Sequence, residues 1–132
     1  MAKRIDLNHR QIVAALRAIP GVTCYSTADL GQGFPDLCVG YRCFNILCEV
    51  KGPKGRLTPA QTEWHFGWTG APVVILRTVD DVELLFRTLE TYGGTQACIR
   101  LKRRQEEHDQ HYRRARIEHD RRYLDDYPDL KS

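Results

Sequence analysis

The sequence predicts a mixed α/β domain in which helices alternate with short β-strands. Apolar residues recur at helical spacing near the start of the chain, as in Ile12, Leu16 and Ile19. Two later segments, 36–41 and 43–50, are rich in Val, Ile, Leu, Phe and Cys and have the length of strands. At 132 residues the chain is long enough to bury one core. The predicted order of elements is α-β-β-β-α-β-α, followed by a charged C-terminal helix.

The first helix, the first strand and a loop precede these two segments. Asp6 or Asn8 can cap the helix, and Pro20-Gly21 ends it. A short strand is predicted over 22–26. The loop over 28–35 follows, and its glycines permit unusual backbone angles.

The second half of the domain begins after a hairpin whose tight turn lies near Tyr41-Arg42. A helix is predicted over 58–70, because Thr58 is a good cap and proline follows it at the first helical position. A strand over 72–77 and a helix over 79–92 come next. Asp80 is the expected cap of that helix, and two glycines stop it.

The composition changes after residue 99, so we predict a domain over 1–99 and an extension over 100–132. Residues 100–127 are almost all charged or polar. Favourable charge pairs four residues apart indicate a solvated helix there. These pairs are Asp109 with Arg113 and Glu118 with Arg122.

Composition also limits the class of protein. The apolar runs are too short to span a bilayer, and no hydrophobic stretch follows the charged N-terminus, so the cytoplasm is the expected compartment. The five cysteines have no spacing typical of a zinc site and are expected to be reduced thiols.

The net charge is +3, with ten basic against nine acidic residues up to residue 99 and ten against eight after it. A nucleic-acid surface would therefore depend on local arrangement.

Residues able to carry chemistry gather at one end of the predicted hairpin. Asp36 begins one of its strands and Glu49 ends the other, so the two carboxylates are expected to converge. Carboxylates and a backbone carbonyl such as that of Val50 are suitable ligands for a hard cation. Lys51 projects on the same side as Glu49 and could stabilise charge on a phosphoryl group. The alternative for Lys51 is a structural salt bridge with Glu49.

Taken together, these motifs resemble a known family. The segments Gly33-Phe34-Pro35-Asp36, Glu49-Val50-Lys51 and Leu57-Thr58-Pro59-Ala60-Gln61, with Trp64, are similar to the VRR-NUC (virus-type replication-repair nuclease) branch of the PD-(D/E)XK superfamily. The resemblance covers roughly residues 8 to 90. It implies a restriction-endonuclease-like fold, a mixed central sheet flanked by helices.

The resemblance also implies a function. Asp36 and Glu49 would hold Mg²⁺ or Mn²⁺, Lys51 would assist hydrolysis, and Gln61 would lie at the active site. Small members of this branch are typically phage or prophage homodimers that cut branched DNA such as Holliday junctions. The implied setting is a bacterial cell or a phage-infected host, and the implied process is DNA repair. Alternatives are a sequence-specific restriction-type endonuclease and a non-catalytic nucleic-acid-binding module.

Several residues near these motifs have two interpretations. Gln61 can equally complete a capping box with Thr58. Lys54 and Arg56 can contact DNA phosphates or simply be solvated loop charges. Trp64 and its neighbour one turn later, Trp68, are expected to pack the helix on the sheet, and stacking on nucleic-acid bases is the alternative.

The first helix departs from the family, whose members often carry an acidic residue there. Residues 7–20 contain none, and His9 and Gln11 are the polar candidates at that level. The histidines of the C-terminal extension are expected at the surface. They are His108, His111 and His119.

Overall fold

A four-stranded mixed sheet forms the centre of the computed structural model, which describes residues 7–126 and Asp129. The strands are β1 (Thr23–Ser26), β2 (Leu37–Tyr41), β3 (Phe44–Val50) and β4 (Val74–Leu76). They lie in chain order across the sheet. The pairs β1–β2 and β2–β3 are antiparallel, and the pair β3–β4 is parallel. The sequence prediction of a mixed α/β domain is therefore confirmed.

Five helices surround the sheet, with a 3-10 turn at Ala28–Leu30. They are α1 (Leu7–Arg17), α2 (Pro59–Gly67), α3 (Val79–Tyr92), α4 (Gly94–His108) and α5 (Gln110–Asp126). The predicted order α-β-β-β-α-β-α is present from α1 to α3. Helix α2 ends three residues earlier than predicted.

Two helix caps differ from the predicted ones. Thr78, rather than Asp80, caps α3, because its side chain accepts a hydrogen bond from the Asp81 amide and Asp81 completes a capping box. Helix α1 begins at Leu7, so Asn8 lies inside the helix instead of capping it. Asp6, the other predicted cap of α1, lies outside the described residues.

The β2–β3 hairpin sets the position of the candidate site. Its turn consists of Arg42 and Cys43, whose φ angles are 48° and 63°. Two positive φ values define the type I′ turn, whose twist matches that of the flanking strands. Tyr41 pairs with Phe44 across this turn, and the ladder continues from there to the far end of the hairpin.

One hydrophobic core joins α1, the sheet, α3 and the start of α4. Its fully buried members include Ile12 and Leu16 of α1, Ile46 of β3 and Leu85 of α3. The apolar periodicity of the sequence is the cause, because residues at helical spacing share one face. The core holds both ends of β3 in place.

Residues 94–126 fold as two helices rather than one solvated helix. Helix α4 runs through residues 99 and 100, and Cys98 is fully buried. In α5 Tyr112 is 4% exposed and packs edge-on against Phe66 of α2, with ring centroids 5.3 Å apart. The predicted boundary after residue 99 thus falls inside a helix.

The charge pairs predicted within the extension are replaced by others. Asp109 pairs with Arg77 of the strand–helix connection, and Arg122 pairs with Glu63 of α2. Glu118 pairs with Arg121, one residue nearer than predicted. Tertiary contacts therefore compete successfully with the local spacing preference. Residues 127, 128 and 130–132 of the extension lie outside the described residues.

Two findings bear on the compositional expectations. None of the helices between Leu7 and Asp126 is long and apolar enough to cross a bilayer. The five cysteines are free thiols; Cys24, Cys48 and Cys98 are buried, Cys38 is partly buried, and Cys43 is exposed in the hairpin turn.

Candidate functional site

Asp36 and Glu49 face each other across the open end of the hairpin. Because Leu37 pairs with Cys48, the next position outward places Asp36 opposite Glu49. The Asp36 amide donates to Glu49 Oε2 at 3.0 Å, and the Val50 amide donates to Asp36 Oδ2 at 2.9 Å. Each carboxylate thus takes the place of a backbone acceptor just where the ladder ends. The predicted convergence of the two acids is present.

The loop before Asp36 is shaped by its sequence. Gly33 has a φ of 81°, and a Cβ there would lie 2.2 Å from the Ala60 carbonyl oxygen, so only glycine allows this close approach to α2. Pro35 is fully buried. Thr27 clamps the next turn, since its amide donates to the Asp36 carbonyl at 2.7 Å and its hydroxyl to the Pro35 carbonyl at 2.6 Å. The loop therefore delivers Asp36 to a fixed position.

Glu49 is an acid in an unfavourable environment. Its side chain is 0% exposed, and its Oε1 atom has no hydrogen-bond partner among the described residues. The pKa of Glu49 is raised to about 8, first by burial and then by the Asp36 charge, while the Lys51 ammonium opposes the rise. A buried carboxylate oxygen without a donor is costly, and a bound cation is one of the few groups that can satisfy it.

The donor set fits a hard divalent cation held partly by water and substrate. The described residues contain no cluster of three or more His, Cys, Asp or Glu side chains able to hold a metal. Mg²⁺ commonly uses only one or two carboxylates, with waters and phosphate oxygens completing its octahedron. Asp36 and Glu49 supply two. The amide and carbonyl of one strand residue face the same side, so the Val50 carbonyl is directed toward Asp36, as its amide is.

Lys51 immediately follows β3 and remains tied to the sheet. Its amide donates to the Leu76 carbonyl at 3.1 Å, which extends the parallel pairing with β4 by one residue. In the described part of the chain Lys51 forms no direct ion pair, so the salt bridge with Glu49 that was one interpretation of the sequence is not formed. Its charge nevertheless acts on Glu49 and lowers the pKa of that carboxyl group.

The residue of α1 that reaches the site is Asn8. Its side-chain amide donates to the Lys51 carbonyl at 2.9 Å. The two residues expected at this level do not take that position, because His9 lines a separate groove with Val13 and Gln11 is exposed. In the sequence Asn8 lies one residue before His9, so it was a further polar candidate at this level of the helix. Its suitability as a helix cap gave it another interpretation.

Gln61 forms the capping box that one of its two interpretations requires. Its amide donates to Thr58 Oγ1 at 3.2 Å, and its side-chain Oε1 accepts from the Thr58 amide at 2.9 Å. This end of α2 also touches the loop before Asp36, because Gly33 lies against the Ala60 and Gln61 backbone. The structural role of Gln61 is thus present, and its catalytic role stays a prediction.

His65 is a buried residue that sequence reasoning missed. It is 6% exposed, and neither ring nitrogen has a hydrogen-bond partner among the described residues. Burial and, to a smaller extent, the Lys51 charge lower the pKa of His65 to about 4, so the imidazole is neutral at pH 7. Its position one helical turn after Gln61, on the same face of α2, was the signal that could have identified it.

The prediction that Trp64 and Trp68 pack in the core is wrong. Their rings stack at 4.7 Å with an interplanar angle of 16°, and Trp68 is 45% exposed. Trp64 also contacts Phe34 edge-on at 4.9 Å. The inward face of α2 carries Thr62 and His65 instead. The two tryptophans therefore support the Gly33-to-Asp36 loop rather than the sheet.

The loop after Lys51 is anchored by a single arginine. Arg77 donates through one terminal nitrogen to the Gly52 carbonyl at 2.6 Å and the Gly55 carbonyl at 2.8 Å. This anchoring leaves Lys54 and Arg56 exposed, and neither has an ion pair with another described residue. Their predicted role in DNA binding is compatible with that exposure and stays a prediction.

His119 differs from the two other histidines of the extension. It is largely buried beside Phe66, 5.3 Å between ring centroids, and lies 3.7 Å from a Glu63 carboxylate oxygen. The expectation of a surface residue was wrong for His119 because α5 packs on α2.

Comparison of the chain with family models, with curated proteins and with solved structures found no significant match. A functional interpretation therefore has to rest on the motifs of the sequence and on the geometry of the site.

The first prediction concerns the cost of burying Glu49. We expect Glu49→Gln to raise the free energy of unfolding by about 1–3 kcal/mol in metal-free buffer, since it removes a buried carboxylate facing Asp36. Gln retains an oxygen for the Asp36 amide. Thermal unfolding with EDTA and with Mn²⁺ measures both effects: the wild type should be stabilised by the metal, and the variant should not. Equal metal responses would contradict the assignment of Glu49 as a ligand.

The second prediction separates the two roles of Gln61. Gln61→Glu preserves the capping box, and an acid suits the first turn of a helix, so the melting temperature should stay close to that of the wild type. If Gln61 also contacts the reacting groups, cleavage by this stable variant should change. Thr58→Ala is the matched control, since it removes the cap without altering Gln61 and should lower stability by about 1 kcal/mol. A stable, fully active Gln61→Glu variant would limit Gln61 to capping.

Proposed function

We propose that this chain is a divalent-metal-dependent DNA endonuclease with Asp36, Glu49 and Lys51 as its catalytic residues. The observation that carries the proposal is the pairing of Asp36 with a fully buried Glu49, one of whose oxygens has no partner among the described residues, immediately before Lys51. A structural role alone does not explain an unsatisfied buried acid next to a second acid. A metal-binding and phosphate-binding role does.

The restriction-endonuclease-like fold and the VRR-NUC kinship belong to the same proposal. They are supported by the motifs Gly33-to-Asp36, Glu49-to-Lys51 and Leu57-to-Gln61, which occur in the family's order. They are also supported by the mixed sheet, in which the two acids end adjacent strands. The glycine of the first motif has a physical reason here, since it permits the contact with α2.

Catalysis by this site would divide the work between binding and charge stabilisation. Asp36, Glu49 and the Val50 carbonyl would hold Mg²⁺ or Mn²⁺, which supplies an activated water and offsets phosphate charge when bound. The Lys51 ammonium would stabilise the negative charge that develops on the phosphoryl oxygens during attack. Lys51 is well suited to this because its backbone is fixed on both sides, by Leu76 and by Asn8. A preorganised charge needs little rearrangement as the reaction proceeds.

The proposed substrate is DNA, with branched DNA such as a Holliday junction favoured by the family resemblance. A homodimer is proposed with it, because one such site cuts one strand and a two-fold pair can cut two strands symmetrically. Two alternatives remain: a restriction-type endonuclease that reads sequence and a binding module without activity. The intact set of Asp36, Glu49 and Lys51 favours an enzyme over the binding module.

The third prediction tests the function directly. Purified protein is incubated with linear, nicked and four-way-junction DNA, with Mg²⁺, with Mn²⁺ and with EDTA. We expect cleavage in the presence of either metal, strongest on the junction, and none in EDTA. Asp36→Ala should abolish cleavage and leave DNA binding largely intact. Cleavage that persists in excess EDTA would contradict the mechanism. Metal-independent binding without any cleavage would favour the binding module.

The fourth prediction assigns Lys51 to the transition state. We expect Lys51→Ala to lower the single-turnover rate by roughly 10²- to 10³-fold with little loss of DNA affinity, by analogy with loss of one preorganised donor. Lys51→Arg should rescue poorly, because a planar guanidinium does not reproduce a compact ammonium. Lys54→Ala, in the neighbouring loop, is the charge-matched control. Normal turnover together with a lowered melting temperature would show that Lys51 is structural.

A further inference from the structure

A cleft of about 360 Å³ lies beside the candidate site, between the Gly52–Gly55 loop and the point where α4 meets α5. We call it the junction cleft. Pro53 lines it on the loop side, and Arg104, His108 and His111 line it on the helical side. The cleft is open to solvent on one side, so a long polymer can enter it from the surface.

The floor of the junction cleft is a nearly buried ion pair. The side chains of Arg77 and Asp109 are 14% and 13% exposed, and their closest atoms are 2.8 Å apart. Arg77 directs its other terminal nitrogen to the Gly52 and Gly55 carbonyls. Asp109 also accepts from Gln105 at 2.6 Å and from the Tyr112 amide at 3.0 Å. Asp109 is thus internally satisfied, and its charge is balanced by Arg77.

The other carboxylate at the cleft is engaged through one of its oxygens, Asp81 Oδ2. Asp81 accepts from the backbone amides of Arg77, at 2.8 Å, and Thr78, at 3.1 Å. By contrast, the side chains of Arg104 and His111 have no hydrogen bond or ion pair with any other described residue. Arg104 is therefore a charged donor at the cleft that no other described residue engages, and a charged donor is the chemistry that receives a phosphate.

The distance from the candidate site suits a neighbouring phosphate of the same strand. Pro53 is two residues beyond Lys51, and two residues span at most about 7 Å. A DNA strand rises about 3.4 Å per nucleotide along the helix axis. A phosphate placed one to three nucleotides from the scissile bond would therefore reach the loop side of the junction cleft, at Pro53. Arg77 fixes the loop between the two positions, which keeps this spacing constant.

We infer that the junction cleft binds a backbone phosphate of the DNA flanking the cleavage point, with Arg104 as its charged donor and His111 beside it. This inference rests on the proposed function for the identity of the polymer. It makes the α4–α5 region a part of the substrate-binding surface. Such a contact fixes the register of the strand over the site without reading its sequence.

The test measures binding without cleavage. A fluorescein-labelled duplex of about two helical turns is titrated in EDTA at several NaCl concentrations, and the dissociation constant is followed by anisotropy. Each phosphate neutralised by a side chain contributes about 0.9 to the slope of log K against log salt. We expect Arg104→Ala to weaken binding and to reduce that slope by roughly 1. Arg104→Lys, which keeps the charge, should leave the slope near that of the wild type.

Arg103→Ala is the matched control, since Arg103 is an exposed neighbour of the same charge that does not line the cleft. Equal slope changes for Arg103→Ala and Arg104→Ala would overturn the inference, because they would indicate a general effect of net charge. So would an unchanged slope in Arg104→Ala. Melting temperatures of all variants should match, as the side chains are exposed.

Cleavage is assayed separately with Mg²⁺ on the same proteins. Cleavage by the wild type with no distinction between Arg103 and Arg104 would contradict the junction cleft alone. Salt-dependent binding that needs Arg104, without any cleavage, would support the cleft and contradict the proposed enzyme. Absence of DNA binding would contradict both.

Discussion

The site depends on two hydrogen bonds, from the Asp36 amide to Glu49 and from the Val50 amide to Asp36, and both follow from the register of one hairpin. Tyr41 pairs with Phe44 across a two-residue turn, so every later pair is determined, including the outward position that sets the two acids opposite each other. A shift of one residue would turn the side chains of a strand to the other face. The turn contains Arg42 and Cys43 at positive φ, a conformation in which non-glycine residues are uncommon. The hairpin keeps it because the core fixes both strands.

The two acids lie in an electrostatically unfavourable environment. A fully buried Glu49 next to Asp36 is unfavourable in the free protein, and the pKa of Glu49 rises because its neutral form is preferred there. In the proposed function a bound divalent cation would favour the charged form of Glu49. Metal affinity would then be gained at the expense of the stability of the metal-free fold. Neutral His65 extends this environment, since it places no second positive charge beside Lys51.

Local features of the site could be predicted from the sequence, and long-range ones could not. The strands, the Thr58 capping box and the convergence of Asp36 with Glu49 depend on residues close in sequence or on strand alternation. The contact of Asn8 with Lys51 joins residues 43 positions apart, and no periodicity specifies such a partner. His65 was overlooked because its helical spacing from Gln61 indicates a shared face of α2 but does not show that this face is buried. The packing of α5 on α2 was missed for the same reason, since a charged helix with few apolar residues has the pattern of a solvated one.

Arg77 forms long-range hydrogen bonds that its neighbours in the sequence do not predict. It follows β4 directly, so its backbone is fixed by the parallel pairing of β4 with β3, the strand that carries Glu49. From there its guanidinium bonds to the loop after Lys51 on one side and to Asp109 on the other. Asp109 is also the residue from which α5 starts, because it accepts the Tyr112 amide. One side chain therefore connects the strand that carries Glu49, the basic loop and the C-terminal helices. Removing Arg77 would leave the Asp109 charge nearly buried and unpaired, and breaking such a pair costs more than losing a surface contact. The C-terminal helices are thus joined to the part of the chain that holds the site through the contact of Arg77 with Asp109.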